Sequence, residues 1–290
     1  MTPQTSHGQQ LPVSLPPVTD ELLSSWISRN AAFYSVPPIT LLQHFLPEVL
    51  SPRAINLRLT DEQATCLAHA FRTDRSVLQR MSFTNIPQTS HRLIAVKAIQ
   101  SCLKCILRAR PDAPEATRRS QLLGWRLTCS QCGSHLLDAT ENDSPSPFCN
   151  YREDALKGQQ LIDDEAERGV RTWASPTEIA RLLLMRRDPR TASLENATRF
   201  RILGVVIPEI DPLVAENKIC LPSAKKPILP LHVRPALMAG VAIVERHGPD
   251  MLAMLWSKTI GQNHTRFGEL VASMLSTAEQ PDGLSLLQHI

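Results

Sequence analysis

Apolar positions along this chain recur at helical spacing in short bursts, each bounded by proline, glycine or a capping residue. Leu22, Leu23, Trp26 and Ile27 fall on one face of a helix that Thr19 or Asp20 is placed to cap. Before it, Leu11-Pro12-Val13-Ser14-Leu15-Pro16-Pro17 predicts a rigid extended strap. Pro37-Pro38 closes this first unit, a helix around Leu41 to Leu50 follows, and Pro52 interrupts again. Thr60 and Gln63 form a capping box ahead of Ala64, Leu67 and Ala68. After Phe71-Arg72-Thr73 a second helix starts at Asp74 with Val77, Leu78 and Met81 inward, giving a short helix–turn–helix.

The second half repeats this grammar. Ser175-Pro176-Thr177-Glu178 supplies an N-cap, a proline at the first helical position and an acidic residue at the third, with Ile179, Leu182 and Leu183 as the buried side. A partner helix carrying Leu194, Ala197, Phe200 and Leu203 is expected to end at Gly204, completing a second helix–turn–helix candidate. Residues 205 to 231 predict an irregular proline-containing connector. A helix from Pro235 to His247 then stops at Gly248, and Pro249 restarts it. Met251, Leu252, Leu255 and Trp256, then Phe267, Leu270, Val271, Met274 and Leu275, mark two further apolar faces, read as core more readily than as a partner groove. The acidic run Asp163-Asp164-Glu165-Ala166-Glu167 reads as a solvated helix face, and Asp143-Ser144-Pro145-Ser146-Pro147 as a boundary.

Composition narrows the class. With 290 residues and 42% hydrophobic content the chain is long enough for two or three modest cores. No apolar run approaches the roughly 20 residues that span a bilayer, and Met1 to Gln10 carries no apolar leader segment, so a cytoplasmic, reducing compartment is expected. A net charge of +3 does not by itself imply nucleic acid. Aromatic content of 4% disfavours a stacking platform for single strands.

Two cysteine pairs, Cys102-x2-Cys105 and Cys129-x2-Cys132, stand with 23 residues between them. Four thiolates from two tight loops on adjacent hairpins suit one tetrahedral zinc with no open position, a structural rather than a catalytic site. Disulfides, a thioredoxin-like redox pair and unrelated buried cysteines fit the doublets less well. Cys149 or His135 stands available to replace one ligand, while Cys66, Cys149 and Cys220 otherwise read as small core residues. Trp125 reads as a packing residue.

The charge that bears on function is local. Lys104, Arg108, Arg110, Arg118, Arg119 and Arg126 face only Asp112 and Glu115 in the cysteine segment, a net +4, around a loop containing Pro111 and Pro114. Such a finger suits phosphate, and equally suits a solvated loop. Arg75, Gln79 and Arg80 are the side chains that a groove-reading second helix would offer in the first helix–turn–helix, and Arg186-Arg187 the basic turn of the second, which Arg199 and Arg201 flank. No phosphate-cradling glycine loop, nucleophile elbow or H-E-x-x-H run is present, and the nine histidines show no paired spacing with carboxylates. No enzymatic activity is expected.

Several of these residues carry a resemblance. Leu11 to Pro17 followed by Glu21-Leu22-Leu23-Ser24-Ser25-Trp26 is similar to the proline-rich strap and E-x-L-x-S-W signature of the TniQ family, the target-selection proteins of transposons. Cys66-Leu67-Ala68 through Val77-Leu78-Gln79-Arg80-Met81-Ser82-Phe83 resembles that family's next helical pair. Cys102-Leu103-Lys104-Cys105, Trp125, Cys129-Ser130-Gln131-Cys132-Gly133 and Leu136-Leu137-Asp138 then arrive in the family's order. The likeness covers roughly residues 11 to 140. The family commonly has histidine where Cys132 stands, and often a further C-x2-C after the Leu-Leu-Asp stretch, where this chain has only Cys149.

The resemblance implies a non-catalytic adaptor that recognises a target site, on DNA directly or through an RNA-guided effector complex, and recruits a AAA+ transposition ATPase. A homodimer is compatible with it and no membrane is involved. The alternative is a zinc-ribbon and helix–turn–helix regulator that binds DNA alone. The expected architecture is mainly α: a flexible tail over 1–10, a helical region over 11–95, a small zinc ribbon of short β hairpins over 96–142, and a helical region over 143–290.

Overall fold

The structure, a computed structural model, describes residues 10–109, 115–138, 146–187, 199–259 and 261–276. It is mainly helical, as the apolar periodicity predicts. Helices α1 (Leu23–Phe33), α2 (Pro38–Phe45), α3 (Ala54–Leu57), α4 (Asp61–Phe71) and α5 (Arg75–Met81) make up the N-terminal part. A two-stranded antiparallel sheet pairs β1 (Gln100–Ser101) with β2 (Leu137–Asp138), Gln100 opposite Asp138, and α6 (Leu103–Arg108) follows β1 directly. The C-terminal part holds α7 (Arg152–Arg168), α8 (Pro176–Leu183), α9 (Leu203–Val206), α10 (Ile210–Ala215), α11 (Arg234–His247), α12 (Pro249–Trp256) and α13 (Gly261–Ser276). Among the described residues no helix is long and apolar enough to cross a membrane.

Where the start and stop signals are local, they hold. Thr60 accepts from the Gln63 amide while the Gln63 side chain accepts from Thr60 N, opening α4. Ser175 Oγ accepts from Glu178 N at the start of α8, and Gly248 takes φ 73° between α11 and α12. Elsewhere tertiary contacts override the signal. Neither Thr19 nor Asp20 caps α1, whose N-cap is Leu22 with no side-chain bond. Asp20 adopts a left-handed φ of 63°, and its carboxylate accepts from Ser120 N and Oγ instead. Pro38 opens α2 rather than only closing α1, and the helix ends at Phe45, ahead of Pro47, instead of continuing to Leu50. Residues 205–231 contain parts of two helices, α9 and α10, whose Ile207, Ile210 and Val214 are buried.

The expected helix through Leu203 does not end at Gly204, because α9 runs through it. Gly204 is there for space: a Cβ at this position would meet Asp211 Oδ1 at 2.0 Å. Leu194 and Ala197 lie outside the described residues, as do residues 1–9 of the tail, residues 143–145 of the expected boundary and the Leu275 side chain.

Two apolar cores organise the chain. In the first, Leu11 from the strap joins Trp26, Ile27, Leu42, Ile55, Leu67, Phe71 and Leu78, with the Trp26 and Phe71 rings 4.8 Å apart. The strap is stitched on by polar bonds: Trp26 Nε1 donates to Leu15 O at 2.8 Å, and Leu15 N to the buried Asn30 Oδ1 at 2.9 Å. The second core surrounds α11, which buries Ala236, Leu237, Met238, Ala239, Val241 and Val244 against α7 and α8. Leu252, Leu255, Phe267, Val271 and Met274 join it, so the apolar faces of α12 and α13 are core. Phe83, Leu93, Leu122, Trp125 and Leu127 belong to this same core, which therefore crosses the divisions expected near residues 96 and 143.

The acidic run on α7 is the largest departure from expectation. Glu165 is fully buried; it accepts from Ser175 Oγ at 2.6 Å and Thr177 N at 2.9 Å, and pairs with Arg171 at 2.9 Å. Asp163 accepts from Trp125 Nε1 at 2.7 Å and Arg126 at 3.1 Å, and burial raises its carboxyl above the usual range against the pull of Arg126. A buried carboxylate is tolerated only with such partners. This pair ties α7 both to α8 and to the segment that leads into the second cysteine pair.

Candidate functional site

The four cysteines are brought to one point by two different devices. Cys102 ends the extended segment after β1, and Cys105 lies in the first turn of α6, so this pair sits on a strand-to-helix junction and not on a hairpin. Cys129 and Cys132 sit on a true hairpin knuckle, closed by the Thr128–His135 bridge and by Cys129 N to Ser134 O at 2.8 Å. Gly133 takes φ 68° there, a turn conformation that favours glycine.

The sulfurs of Cys102, Cys105, Cys129 and Cys132 all lie within 4.8 Å of one another. Cys102 to Cys132 is 3.5 Å, Cys105 to Cys132 3.6 Å and Cys105 to Cys129 3.7 Å. A tetrahedron with metal–sulfur distances of about 2.3 Å has edges of about 3.8 Å, whereas a disulfide needs about 2.05 Å. The group could therefore hold a metal ion, and its sulfurs are too far apart for disulfides. Burial, then the neighbouring thiols, push the Cys105 thiol up to about 12, while hydrogen bonding with Ser134 holds that of Cys132 down to about 6. A cation among them overturns this disparity, since a coordinating thiol is deprotonated outright. Gln131 N at 3.4 Å from Cys129 Sγ adds a donor toward a thiolate.

Cys149 and His135 are exposed and neither belongs to the cluster. Cys149 and Cys220 are surface residues rather than the core residues expected, and Cys66 is half-buried. Trp125 is fully buried, a packing residue as expected.

The cluster is fastened on both sides. Toward the N-terminal helices, Leu22 N donates to Thr117 O and Arg119 N to Asp20 O, at 2.9 and 2.8 Å. Ser25 Oγ accepts from Thr117 N at 2.9 Å, and buried Glu21 pairs with Arg29 at 2.7 Å. Gln131, between the second two cysteines, donates to Thr19 O and accepts from Arg118. Toward the C-terminal helices, fully buried Arg234 donates to Gln100 Oε1, to Arg126 O at 2.7 Å and to Leu229 O at 2.8 and 3.1 Å. Burial pulls its pKa down to about 10, against the favourable charge of Asp138. Sequence reasoning missed Arg234; its signal, an arginine next to Pro235 at a helix start, is too common to single out.

The basic residues of the sequence divide into committed and exposed. Arg119 pairs with Glu167 at 3.1 Å and lies over the Phe83 ring, and Arg126 pairs with Asp163. Arg187 pairs with Asp211 at 2.7 Å and covers the Phe200 ring. Arg75 pairs with Asp61 on the surface. Lys104, Arg108, Arg80 and Arg186 are exposed. Arg110, with Pro111, Asp112 and Pro114, lies outside the described residues. Of the side chains read from sequence as one basic finger, Arg119 and Arg126 are thus held by carboxylates of α7, while Lys104 and Arg108 are exposed. Alongside Lys104 and Arg108, α6 exposes Leu103, Ile106 and Leu107.

Comparison with family models, with curated proteins and with solved structures returned no match.

Proposed function

We propose that this protein is a non-catalytic adaptor for transposon target selection, which engages a target site on DNA or through an RNA-guided complex and recruits a AAA+ transposition ATPase, its cysteine cluster holding one structural zinc. Zinc follows from the donor set: four thiolates in a closed tetrahedral arrangement favour Zn²⁺ over harder cations. With every position taken by sulfur, none is left for water or substrate, which suits a staple.

The observation that carries the reading is the joint between the Glu21–Trp26 segment and the cysteine module. Of the residues that make this segment resemble the TniQ signature, Glu21 bridges to Arg118 and Ser25 accepts from Thr117 N across the joint, while Leu23 and Trp26 fill the N-terminal core and the intervening Leu22 bonds Thr117 O. A signature whose members hold one module onto another is expected to persist as a unit. The apolar residues exposed on α6, beside two cations, supply the kind of surface that a protein partner covers.

The test is reconstitution with a transposon-type AAA+ ATPase. Zinc-loaded protein is expected to co-elute with the ATPase and to promote its loading on target DNA. A protein that shifts one duplex sequence-specifically, and that no such ATPase binds or affects, is a lone regulator and sinks the adaptor reading.

A further inference from the structure

Several cations gather beside the first half of α13. A cleft of about 680 Å³ opens between the end of α8, the turn at Ser223–Lys225 and the first half of α13. Arg181, Arg186, Arg201, Lys225 and Arg266 line it, and Glu269 is the one carboxylate among its described lining residues. A second cleft, of about 640 Å³, carries His91, Arg92, Arg171 and Arg181 with Glu178. Both are lined by Arg181 and Leu270, so the two clefts adjoin, and the first is the more basic trough.

This trough differs from an ordinary solvated face. The backbones of Arg186 and Arg201 pair directly across an antiparallel bridge, holding two guanidinium-bearing residues side by side. Arg201 is nearly buried; burial first, and Arg186 second, lower its pKa. The Arg201 guanidinium donates to Pro222 O at 3.2 Å and to Leu221 O at 3.5 Å, which fixes it in the cleft wall. The Arg186-Arg187 doublet divides here, Arg187 turning inward to Asp211 while Arg186 stays exposed at the cleft. Arg181 is partly neutralised by Glu178 at 3.1 Å, and Arg171 by Glu165, so the exposed end at Arg186, Lys225 and Arg266 carries the largest net charge.

Among the described lining residues of either cleft there is no phenylalanine, tyrosine or tryptophan, so these residues offer charge and no such stacking surface. A mononucleotide site wants an apolar or aromatic slot for its base. A polymer of phosphates tracked by its backbone does not.

We propose that this trough holds the phosphodiester backbone of a nucleic acid, with Arg186, Lys225 and Arg266 contacting phosphates and Arg181 and Arg201 forming the cationic wall behind them. The proposal rests on the target-recognition reading and gives it a surface. That surface is not the cysteine segment, where Glu167 and Asp163 already hold Arg119 and Arg126.

The experiment measures binding of the zinc-loaded full chain to a fluorescent duplex and to a single strand across a salt series. Wild type, R186E/R266E and the surface control R108E are compared, after circular dichroism and thermal melting have shown equal folding. The double variant is expected to lose affinity by about tenfold or more and to reduce the salt slope by about 2, roughly one per phosphate contact removed. R108E is expected to match wild type. A milder variant, R186Q/R266Q, serves if charge reversal impairs folding, with the same direction of change.

Unchanged affinity and slope in a folded double variant overturn the trough while leaving the adaptor reading intact. Wild type that binds the ATPase but no nucleic acid also overturns the trough, since the target is then engaged through a protein. Inorganic pyrophosphate that competes as well, phosphate for phosphate, as the oligonucleotide reassigns the trough to a small phosphate ligand and overturns the proposal. Salt-dependent binding lost in the double variant, in a protein that no ATPase recognises, upholds the trough and sinks the adaptor.

Discussion

Arg234 donates to the side-chain oxygen of Gln100 across 134 residues of sequence, two positions before the first cysteine of the cluster. The same guanidinium reaches Arg126 O and Leu229 O, so one buried side chain fastens β1 and the segment before the second cysteine pair to the start of α11. Replacing it by methionine keeps much of the volume and orphans three buried acceptors, each worth about 1–3 kcal/mol. R234M is expected to lower the unfolding free energy by roughly 3 kcal/mol or more, read from a urea titration. R234K recovers only part, because an ammonium lacks the planar fork. An R234M protein within about 0.5 kcal/mol of wild type removes this residue from the account.

The cluster makes a prediction about metal and pH together. Purified protein is expected to carry about one zinc per chain, lost in C102S or C129S. The Cys105 thiol, up at about 12, must give up its proton to bind a cation, so metal affinity falls as pH falls and the stability that zinc confers is present at neutral pH and lost on acidification. Zinc release monitored with a chromogenic chelator should therefore accelerate below neutrality. A folded protein whose zinc content is zero, or whose zinc affinity rises on acidification, contradicts the assignment.

Thiol labelling separates the cysteines by role. Cys149 and Cys220 are exposed, whereas burial raises the thiol of half-buried Cys66, which also donates to Phe45 O. In zinc-loaded protein Cys149 and Cys220 are expected to alkylate fast, and the four cluster thiols only after chelation. Mass spectrometry after a short iodoacetamide pulse reads this directly; rapid modification of Cys102 or Cys129 in the loaded protein would falsify the closed site.

The crossing of α7 and α11 depends on Gly158, where an added Cβ would lie 1.9 Å from the Met238 carbonyl oxygen. G158A must push two helix backbones apart and is expected to destabilise by about 1–3 kcal/mol or more. G268A is the matched control, since its Cβ would meet nothing nearer than the Trp256 ring at 3.6 Å. That change is expected to be neutral or to stabilise by up to about 1 kcal/mol through helix propensity. Equal melting temperatures for the two variants refute the close crossing.

What could be read along the chain was what neighbours in sequence decide. The Thr60–Gln63 box, the Ser175-Pro176 start and the Gly248-Pro249 break involve residues within one turn of each other, and each stands where expected. The cysteine cluster was legible for a similar reason: two matched doublets encode a possible donor set whatever scaffold holds them, although the helix under Cys105 was not foreseen. Asp20, Glu165 and Arg234 were misread or missed because their partners, Ser120, Ser175 and Gln100, are set by packing between distant segments. The pairing of Arg119 and Arg126 was not foreseen for the same reason, since the carboxylates that capture them come from α7.

The reach of Arg234 also sets an order of events during synthesis. Its bond to Arg126 O spans 108 residues, so at about 5–20 residues per second the ribosome completes the second cysteine pair some 5–20 seconds before α11 emerges. In that interval the Gln100 side chain and Arg126 O stand without the guanidinium that joins them. A metal ion captured early would then be the cross-link that keeps this stretch of nascent chain in register until the helix arrives.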